Sequence, residues 1–297
     1  MNFKVFVLIV LFIAFNYVKS FAGGHVDPQS LKITSAENPI VLDGVLDETD
    51  WARRYDYLQF GAGFEPGDVS YGVTGFEAVD GEHLDSTTTI VKILHYGLDL
   101  YIGIQSNDKY VNKWGGSWEG DGLFMKINTA NGVAKEIKFY FNASGVNPDI
   151  VLETNIEGDN AVEGAAFKPE GTVVNDTTQV DSGFTAELVI HLEDLGYSDE
   201  YAEVPVLINV FDPDGQTGTA GEEFNVGSYY KTWWGSQWGP DMRNLVLADP
   251  PLVNAYSFQG DVAIDGQLSE SIWETADSIN VGKNSKWNTG GYYMQWR

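Results

Sequence analysis

The fold of this chain is indicated by one stretch, Asp43-Gly-Val-Leu-Asp-Glu-Thr-Asp-Trp51. An apolar run at residues 40–42 leads into it, and Asp43-Gly44 predicts a turn because glycine takes positive φ without steric strain. Leu46 and Trp51 are predicted core anchors. The same spacing of Asp, Gly, Leu, Glu and Trp returns at residues 265–273. Two copies so far apart indicate a whole domain that begins twice, not the short period of a solenoid or propeller.

The composition excludes several classes of protein. The chain has 297 residues with 43% hydrophobic content, enough for one large or two medium domains. Its formal net charge of −26 argues against nucleic acid and anionic membrane surfaces as partners, although an acidic surface suits calcium. There are no cysteines, which excludes disulfides, thiolate catalysis and cysteine-bound metals.

Residues 1–22 have the pattern of a secretory signal peptide. Lys4 supplies a positive start, residues 5–15 are apolar, and Ser20-Phe21-Ala22 places small residues at the cleavage position. The alternative is an uncleaved membrane anchor, but the apolar run is short for a span of about 20 residues. We expect a cleaved, exported protein that is secreted, periplasmic or on the cell surface, with no membrane insertion of the mature domain.

Strand patterns dominate the middle of the chain. Beta-branched, alternating segments predict strands at 88–95, 100–105, 122–127, 136–142, 149–154, 172–174, 184–191 and 204–211. Short helical turns are predicted only at 48–53 and 192–196, and residues 61–85 are predicted as a long loop or ragged hairpin. Many short strands with glycine-rich turns predict an all-β antiparallel sandwich of the immunoglobulin or jelly-roll kind.

The repeat sets the expected domain organisation. We expect a signal peptide at 1–22, a module at 23–249, a linker at 250–257 around the sequence Asp-Pro-Pro, and the truncated start of a second module at 258–297. An isolated piece of about 40 residues rarely folds alone. The alternative is that this tail adds a strand to the first domain. Any enzyme, such as a glycoside hydrolase, is expected beyond Arg297.

Ordered motifs along the chain resemble one family, the family 9 carbohydrate-binding modules of the DOMON-like β-sandwich superfamily. Residues 40–51 resemble its opening signature, and residues 91–104, followed by Asn107-Asp108, resemble its first hairpin. Residues 118–127, 183–192 and 238–247 resemble later strands, so the resemblance covers residues 30–249. It implies a β-sandwich that stacks a saccharide between two tryptophans.

The resemblance also implies the site residues. It places Trp118 as one stacking face, Trp238 as the other with Trp234 as a close second choice, and Asp121 as an acidic partner. An expected acidic residue falls instead on Phe124, and an expected arginine falls on Lys138, which lacks the bidentate fork of arginine. Trp114 shares the glycine-rich segment of Trp118, and tryptophans in such company indicate exposed stacking surfaces.

Other patterns leave alternatives open. Asp212-Pro-Asp214 resembles an oxygen-rich turn that can hold Ca²⁺, although it lacks a full calcium-binding loop, and Asp108 is a weaker candidate. Some DOMON-like domains bind haem through a Met and a His, so His95 or His191 with Met125 or Met242 gives a redox alternative. A ligand-free structural or adhesion module is the other alternative. No catalytic triad or histidine-rich metal motif occurs, so we expect a non-catalytic saccharide-binding module that requires no cofactor.

Overall fold

The computed structural model describes residues 30–53, 57–61, 74–79, 86–113, 120–142, 145–146, 148–176, 178–213 and 229–248. All of them belong to the first of two units into which the chain divides, Met1–Ala248. The predicted signal peptide, the linker and the second copy of the opening stretch lie outside the described residues.

The described strands form two sheets, numbered here in chain order. The larger sheet contains β1 (Ser30–Thr34), β3 (Gly75–Val79), β6 (Gly122–Asn128), β7 (Ala134–Phe141), β8 (Ile150–Thr154), β11 (Glu203–Asp212), β12 (Tyr229–Trp234) and β13 (Arg243–Ala248). Its order is β1-β13-β11-β6-β7-β8, and β12 pairs with both β11 and β3. The β1–β13 pair is parallel, whereas the other pairs of this sheet are antiparallel.

The smaller sheet contains β2 (Leu58–Gly61), β4 (Thr88–Tyr96), β5 (Asp99–Ser106), β9 (Val162–Phe167) and β10 (Phe184–His191). Its strand order is β2-β4-β5-β10-β9. All of its pairs are antiparallel. A short helix α1 (Thr49–Arg53) and a 3₁₀ turn (Leu192–Leu195) are the helices of the described part of the chain. Neither is long or apolar enough to cross a membrane.

The main core lies between the two sheets. Strand β6 shows why: Leu123, Met125 and Ile127 alternate along it and are buried in the main hydrophobic cluster, because successive side chains of a strand point to opposite faces. Phe124 and Lys126 therefore lie on the outer face of the larger sheet. The expected all-β sandwich is confirmed at this level.

The opening stretch covers the outer face of the smaller sheet. Trp51, only 1% exposed, packs with Ile40, Leu94, Tyr101 and Val189 in a second cluster, and Leu42 and Leu46 flank it. The Trp51 indole donates a hydrogen bond to Glu187 Oε1 at 2.9 Å, and the backbone amides of Asp43 and Gly44 donate to Oε2 at 3.1 and 3.0 Å. One buried glutamate on β10 thus holds both ends of the opening stretch.

The sequence predicted most strands but not all of them. Seven of the eight predicted strands are present with nearly the expected bounds. The strand predicted at 172–174 is wrong, because the Val173 amide donates to the Asp181 carboxylate at 2.9 Å and the Thr172 amide donates to the Pro169 carbonyl at 3.1 Å. Strand β3 lies inside residues 61–85, the segment predicted as a long loop or ragged hairpin, and the sequence patterns do not predict β1, β2, β9 or β12 as strands.

Candidate functional site

A row of polar and aromatic side chains runs across the outer face of the larger sheet. Phe124 on β6 pairs with Asn209 on β11 and with Lys138 on β7, and Lys138 pairs in turn with Glu153 on β8. On the other side of Asn209, its partner is Trp233 on β12. Because directly opposed residues of a sheet point to the same face, this row is continuous.

Trp238 lies on this row. Its ring centroid is 5.0 Å from that of Phe124 at an interplanar angle of 55°, and the side chain is 41% exposed. Lys231 Nζ lies 4.9 Å from the centroid of the Trp238 ring, a distance at which a cation is attracted to the π face. Lys126 Nζ donates to the Trp238 carbonyl at 3.2 Å. An indole that stands on another ring and remains exposed offers a flat apolar plate to solvent.

The segment that carries Trp238 is tied to the sheet below it. The Asn209 side-chain amide donates to the Gln237 carbonyl at 3.2 Å, and the Gln237 side chain donates to a Glu77 carboxylate oxygen. The Thr74 hydroxyl lies 2.7 Å from the Gly235 carbonyl. These contacts fix the turn after β12, so the indole of Trp238 is positioned before any ligand arrives.

Lysine–glutamate pairs surround the plate. The Nζ–Oε distances are 3.4 Å for Lys231–Glu77, 3.5 Å for Lys126–Glu136 and 3.7 Å for Lys138–Glu153. Glu153 also accepts the Tyr140 hydroxyl at 2.7 Å. Burial, with the hydrogen bond and charge of Glu153, raises the pKa of Tyr140, so its hydroxyl stays protonated. The outer face therefore offers fixed donors and acceptors on both sides of an aromatic plate.

The predicted sugar-binding residues separate into four groups, and Asp121, in a buried cluster, is the fourth. Trp238 and Lys138 lie on the outer face, where Phe124 connects them. Trp234 is fully buried in the main core, because on β12 it alternates with the outward-facing Lys231 and Trp233, so it has no exposed face for stacking. Trp114, Trp118 and the calcium candidate Asp214 lie outside the described residues.

Asp121 belongs to a buried carboxylate cluster instead of the exposed face. Its side chain is 3% exposed and accepts the Asn112 amide proton at 2.6 Å. Asp108 and Asp212 are 0% and 2% exposed, and one carboxylate oxygen from each of the three residues lies within 4.8 Å of the others. Oxygen ligands at this spacing can hold a metal ion such as Ca²⁺.

The electrostatics of the Asp108–Asp121–Asp212 cluster are consistent with binding of a metal ion. Burial raises the pKa of Asp121 well above its usual range, and the charges of Asp108 and Asp212 raise it further, while the Asn112 amide opposes the shift. Without a cation, the fold therefore favours a protonated carboxyl among the three. A divalent ion would remove this repulsion and displace the proton.

The histidines of the haem alternative are engaged elsewhere. His95 is 2% exposed, and its ring nitrogens lie 3.1 and 2.9 Å from the carbonyl oxygens of Gly97 and Ala248. His191 Nδ1 lies 2.6 Å from Asp99 Oδ1, and Nε2 lies 3.7 Å from Glu163. Iron ligation by either ring would require breaking these contacts, and Met125 is buried in the main core.

Several residues of the outer face were not anticipated from the sequence: Glu77, Lys126, Glu136, Glu153, Lys231 and Gln237. A partial signal was present, since Lys126 and Glu136 follow the alternation of their strands and share a face with Phe124 and Lys138. No strand pattern predicts β3 or β12, so the sequence does not show which face Glu77 and Lys231 occupy. Asp108 was a weak metal candidate, and its grouping with Asp121 depends on the tertiary fold.

The chain is similar at low sequence identity to several solved structures of carbohydrate-binding proteins. The chain is similar to a family 9 carbohydrate-binding module from Caldicellulosiruptor kristjanssonii in complex with cellotriose, at 10% identity and a TM-score of 0.48, over 78% of this chain and 100% of that one. The complex of a family 9 module from this organism with glucose gives 11% identity and a TM-score of 0.48, over 75% and 97% of the two chains.

A putative carbohydrate-binding protein from Bacteroides uniformis is also similar, at 10% identity and a TM-score of 0.39 over 73% of this chain and 98% of that one. No family model and no curated protein matches the sequence. At this level of similarity the ligands of those proteins do not transfer to this chain, so the function has to be argued from its own residues.

Proposed function

We propose that this chain is a carbohydrate-binding protein without catalytic activity, and that Trp238 is the stacking plate of its site. The observation that carries the proposal is the exposed indole, which stands on Phe124 between Lys231 and Lys126. A pyranose ring has a flat face of C–H groups, and burying that face against an aromatic ring removes apolar surface from water.

The charged pairs around the plate supply the second part of saccharide recognition. Sugar hydroxyls both donate and accept hydrogen bonds, and a binding site must satisfy them because a buried unpaired hydroxyl is unfavourable. Beside the indole, the half-exposed Glu77 carboxylate can accept, and the Lys126 ammonium group, 3.5 Å from Glu136, can donate. Because each lysine is already held by a glutamate, little side-chain freedom remains to be lost on binding.

A second stacking face would come from the glycine-rich segment that contains Trp114 and Trp118. Lys113 and Gly120, at the two ends of that segment, are bridge partners. Gly120 is followed along the chain by Asp121 and Gly122, where β6 begins and leads to Phe124. This placement supports Trp118 as the partner of Trp238, as the family resemblance implies.

Calorimetric titration tests the proposal with a panel of neutral sugars that includes glucose and cellotriose. We expect the Trp238→Ala variant to lose at least tenfold in affinity, equivalent to about 1.4 kcal/mol. Tyr96→Ala is the matched control, because Tyr96 is equally exposed at 41% but lies at the end of β4 in the smaller sheet. Unchanged affinity in Trp238→Ala, or binding to no sugar of the panel, would refute the assignment.

We propose further that Ca²⁺ occupies the Asp108–Asp121–Asp212 cluster. At a free calcium concentration one hundred times the Kd, binding adds about 2.7 kcal/mol to the free energy of unfolding. Chelation should lower the melting temperature, and Asp212→Asn should abolish the response, whereas the exposed Asp159→Asn should preserve it. The gain should grow as pH rises, because calcium competes with the proton that the raised pKa of Asp121 favours. Equal melting temperatures with calcium and with chelator would refute calcium binding.

The expected export and tandem arrangement are part of the same proposal. An exported binding module meets saccharides outside the cell, and the repeated opening frame at residues 265–273 would begin a second module of the same type. Mass spectrometry of the mature protein should find an N-terminus after residue 22. A mature protein that retains residues 1–22 would contradict cleavage.

A further inference from the structure

A polar pocket lies beside the Trp238 plate on the outer face of the larger sheet. It has a volume of about 170 Å³ and is lined by Glu136, Lys138, Glu153, Thr154 and Asn155. Lys138 is the direct cross-strand partner of Phe124, on which Trp238 stands. Since neighbouring strands lie about 4.8 Å apart, the pocket begins one strand from the aromatic plate.

The walls of the pocket are held in place by hydrogen bonds among its own residues. The Glu136 amide donates to Asn155 Oδ1 at 2.7 Å, and the Thr154 hydroxyl donates to the Glu136 carbonyl at 2.9 Å. Tyr140 fixes one oxygen of Glu153, while Lys138 lies 3.7 Å from the other. The carboxylate of Glu153 therefore has a defined orientation before a ligand binds.

The charge of the pocket is nearly balanced. Glu136 and Glu153 each lie beside a lysine, at 3.5 Å from Lys126 and 3.7 Å from Lys138. The surrounding protein has a net charge of −26. A site with paired charges in a strongly acidic protein suits a neutral polar ligand and disfavours an anion.

We propose that this pocket binds the next sugar unit of a chain whose first unit stacks on Trp238, so that the protein selects neutral oligosaccharides over single sugars and over uronic acid chains. This inference rests on the proposed saccharide-binding function. A pocket of about 170 Å³ is smaller than the roughly 300 to 1,000 Å³ of sites for drug-sized ligands, and it suits one sugar ring. Carboxylate and ammonium groups at fixed positions accept from and donate to its hydroxyls.

The test compares sugars of increasing length by calorimetry, with glucose, cellobiose and cellotriose as one series and xylose, xylobiose and xylotriose as another. We expect at least a tenfold gain in affinity between the single sugar and the trisaccharide in one series. Glu153→Ala should abolish that gain and leave the affinity for the single sugar unchanged. The control is Glu157→Ala, since Glu157 lies 4.0 Å from Lys135, is 97% exposed and does not line the pocket. Its length dependence should equal that of the wild type.

The outcomes separate this inference from the function on which it rests. A single sugar that binds through Trp238 with no gain from added units would overturn the pocket assignment alone. A length-dependent gain that survives Glu153→Ala, or trigalacturonic acid that binds as tightly as the neutral trisaccharides, would also overturn it. Failure of every sugar to bind overturns both proposals. Retained affinity of Glu153→Ala for the single sugar is the internal evidence that this variant is folded.

Discussion

Replacing Glu187 by glutamine should destabilise the sandwich, because this carboxylate holds the opening stretch against the smaller sheet. It is 0% exposed and accepts from Trp51 Nε1 on one oxygen and from the amides of Asp43 and Gly44 on the other. Burial raises the pKa of Glu187, whereas the indole and the two backbone donors oppose the shift. Glu187→Gln keeps one acceptor oxygen but turns an NH₂ group toward the remaining donors.

The magnitude follows from the donors that lose their acceptor. The better glutamine orientation preserves both backbone contacts and places its NH₂ against the Trp51 indole. A hydrogen bond to a charged group contributes about 1.5–3 kcal/mol, and a buried donor left without an acceptor costs about 1–3 kcal/mol. We expect Glu187→Gln to lower the free energy of unfolding by about 2–4 kcal/mol, a large part of the roughly 5–15 kcal/mol typical of a domain.

A double-mutant cycle isolates this contact. Trp51→Phe removes the indole N–H and should cost about 2 kcal/mol from the lost bond. In the double variant the glutamine NH₂ no longer faces an N–H, so the combined loss should be smaller than the sum by about 1–2 kcal/mol. Urea unfolding followed by circular dichroism measures all four proteins, and the exposed Glu200→Gln serves as the control. Losses that add within about 0.5 kcal/mol, or a Glu187→Gln loss no larger than the control, would refute the reasoning.

Two further perturbations test the smaller sheet. Partial burial lowers the pKa of His191, but its contacts with Asp99 and Glu163 outweigh this and raise it. The stabilisation from His191 should therefore be fully present below the ordinary histidine pKa of 6.5 and be lost as pH rises through the raised folded value. Unfolding of His191→Gln should lack this step. Gly44→Ala should cost about 2–4 kcal/mol, because φ is +85° and the new Cβ would lie 2.4 Å from a backbone carbon of Ala166. Gly97→Ala, with φ of +56° and open space around it, should cost only about 1 kcal/mol, and equal losses at the two glycines would contradict the clash.

Local patterns were sufficient to predict most of the sandwich. Strands such as β4, β5 and β10 alternate or are beta-branched, and those signals reside within each segment. The prediction at 172–174 failed because the side chain of Asp181, eight residues further along, takes the Val173 amide that a sheet would have used. Burial of Glu187 by the opening stretch depends on a contact across 136 residues, which no local pattern contains.

The candidate site was predictable only in part, because its residues meet through contacts between segments that are far apart in the sequence. Trp234 and Trp238 share one glycine-rich stretch, and the family resemblance favours Trp238 over Trp234 only narrowly. The pairing of β12 with β11 decides, since it turns Trp234 into the core and leaves Trp238 in the turn beyond the strand. The family resemblance predicts Asp121 as a sugar-binding residue, whereas the structure groups it with Asp108 and Asp212, which come from other parts of the chain.

The opening stretch also gives a reason why the proposed ligand surface lies on the larger sheet. By packing Trp51 over Leu94, Tyr101 and Val189, it covers the outer face of the smaller sheet with a second hydrophobic cluster. The corresponding face of the larger sheet presents paired charges and Trp238 instead. A two-layer sandwich has only two outer faces, so an apolar cover on one directs recognition to the other. In the proposed function the opening stretch therefore takes no part in binding, but its cover leaves the outer face of the larger sheet as the face available to a ligand.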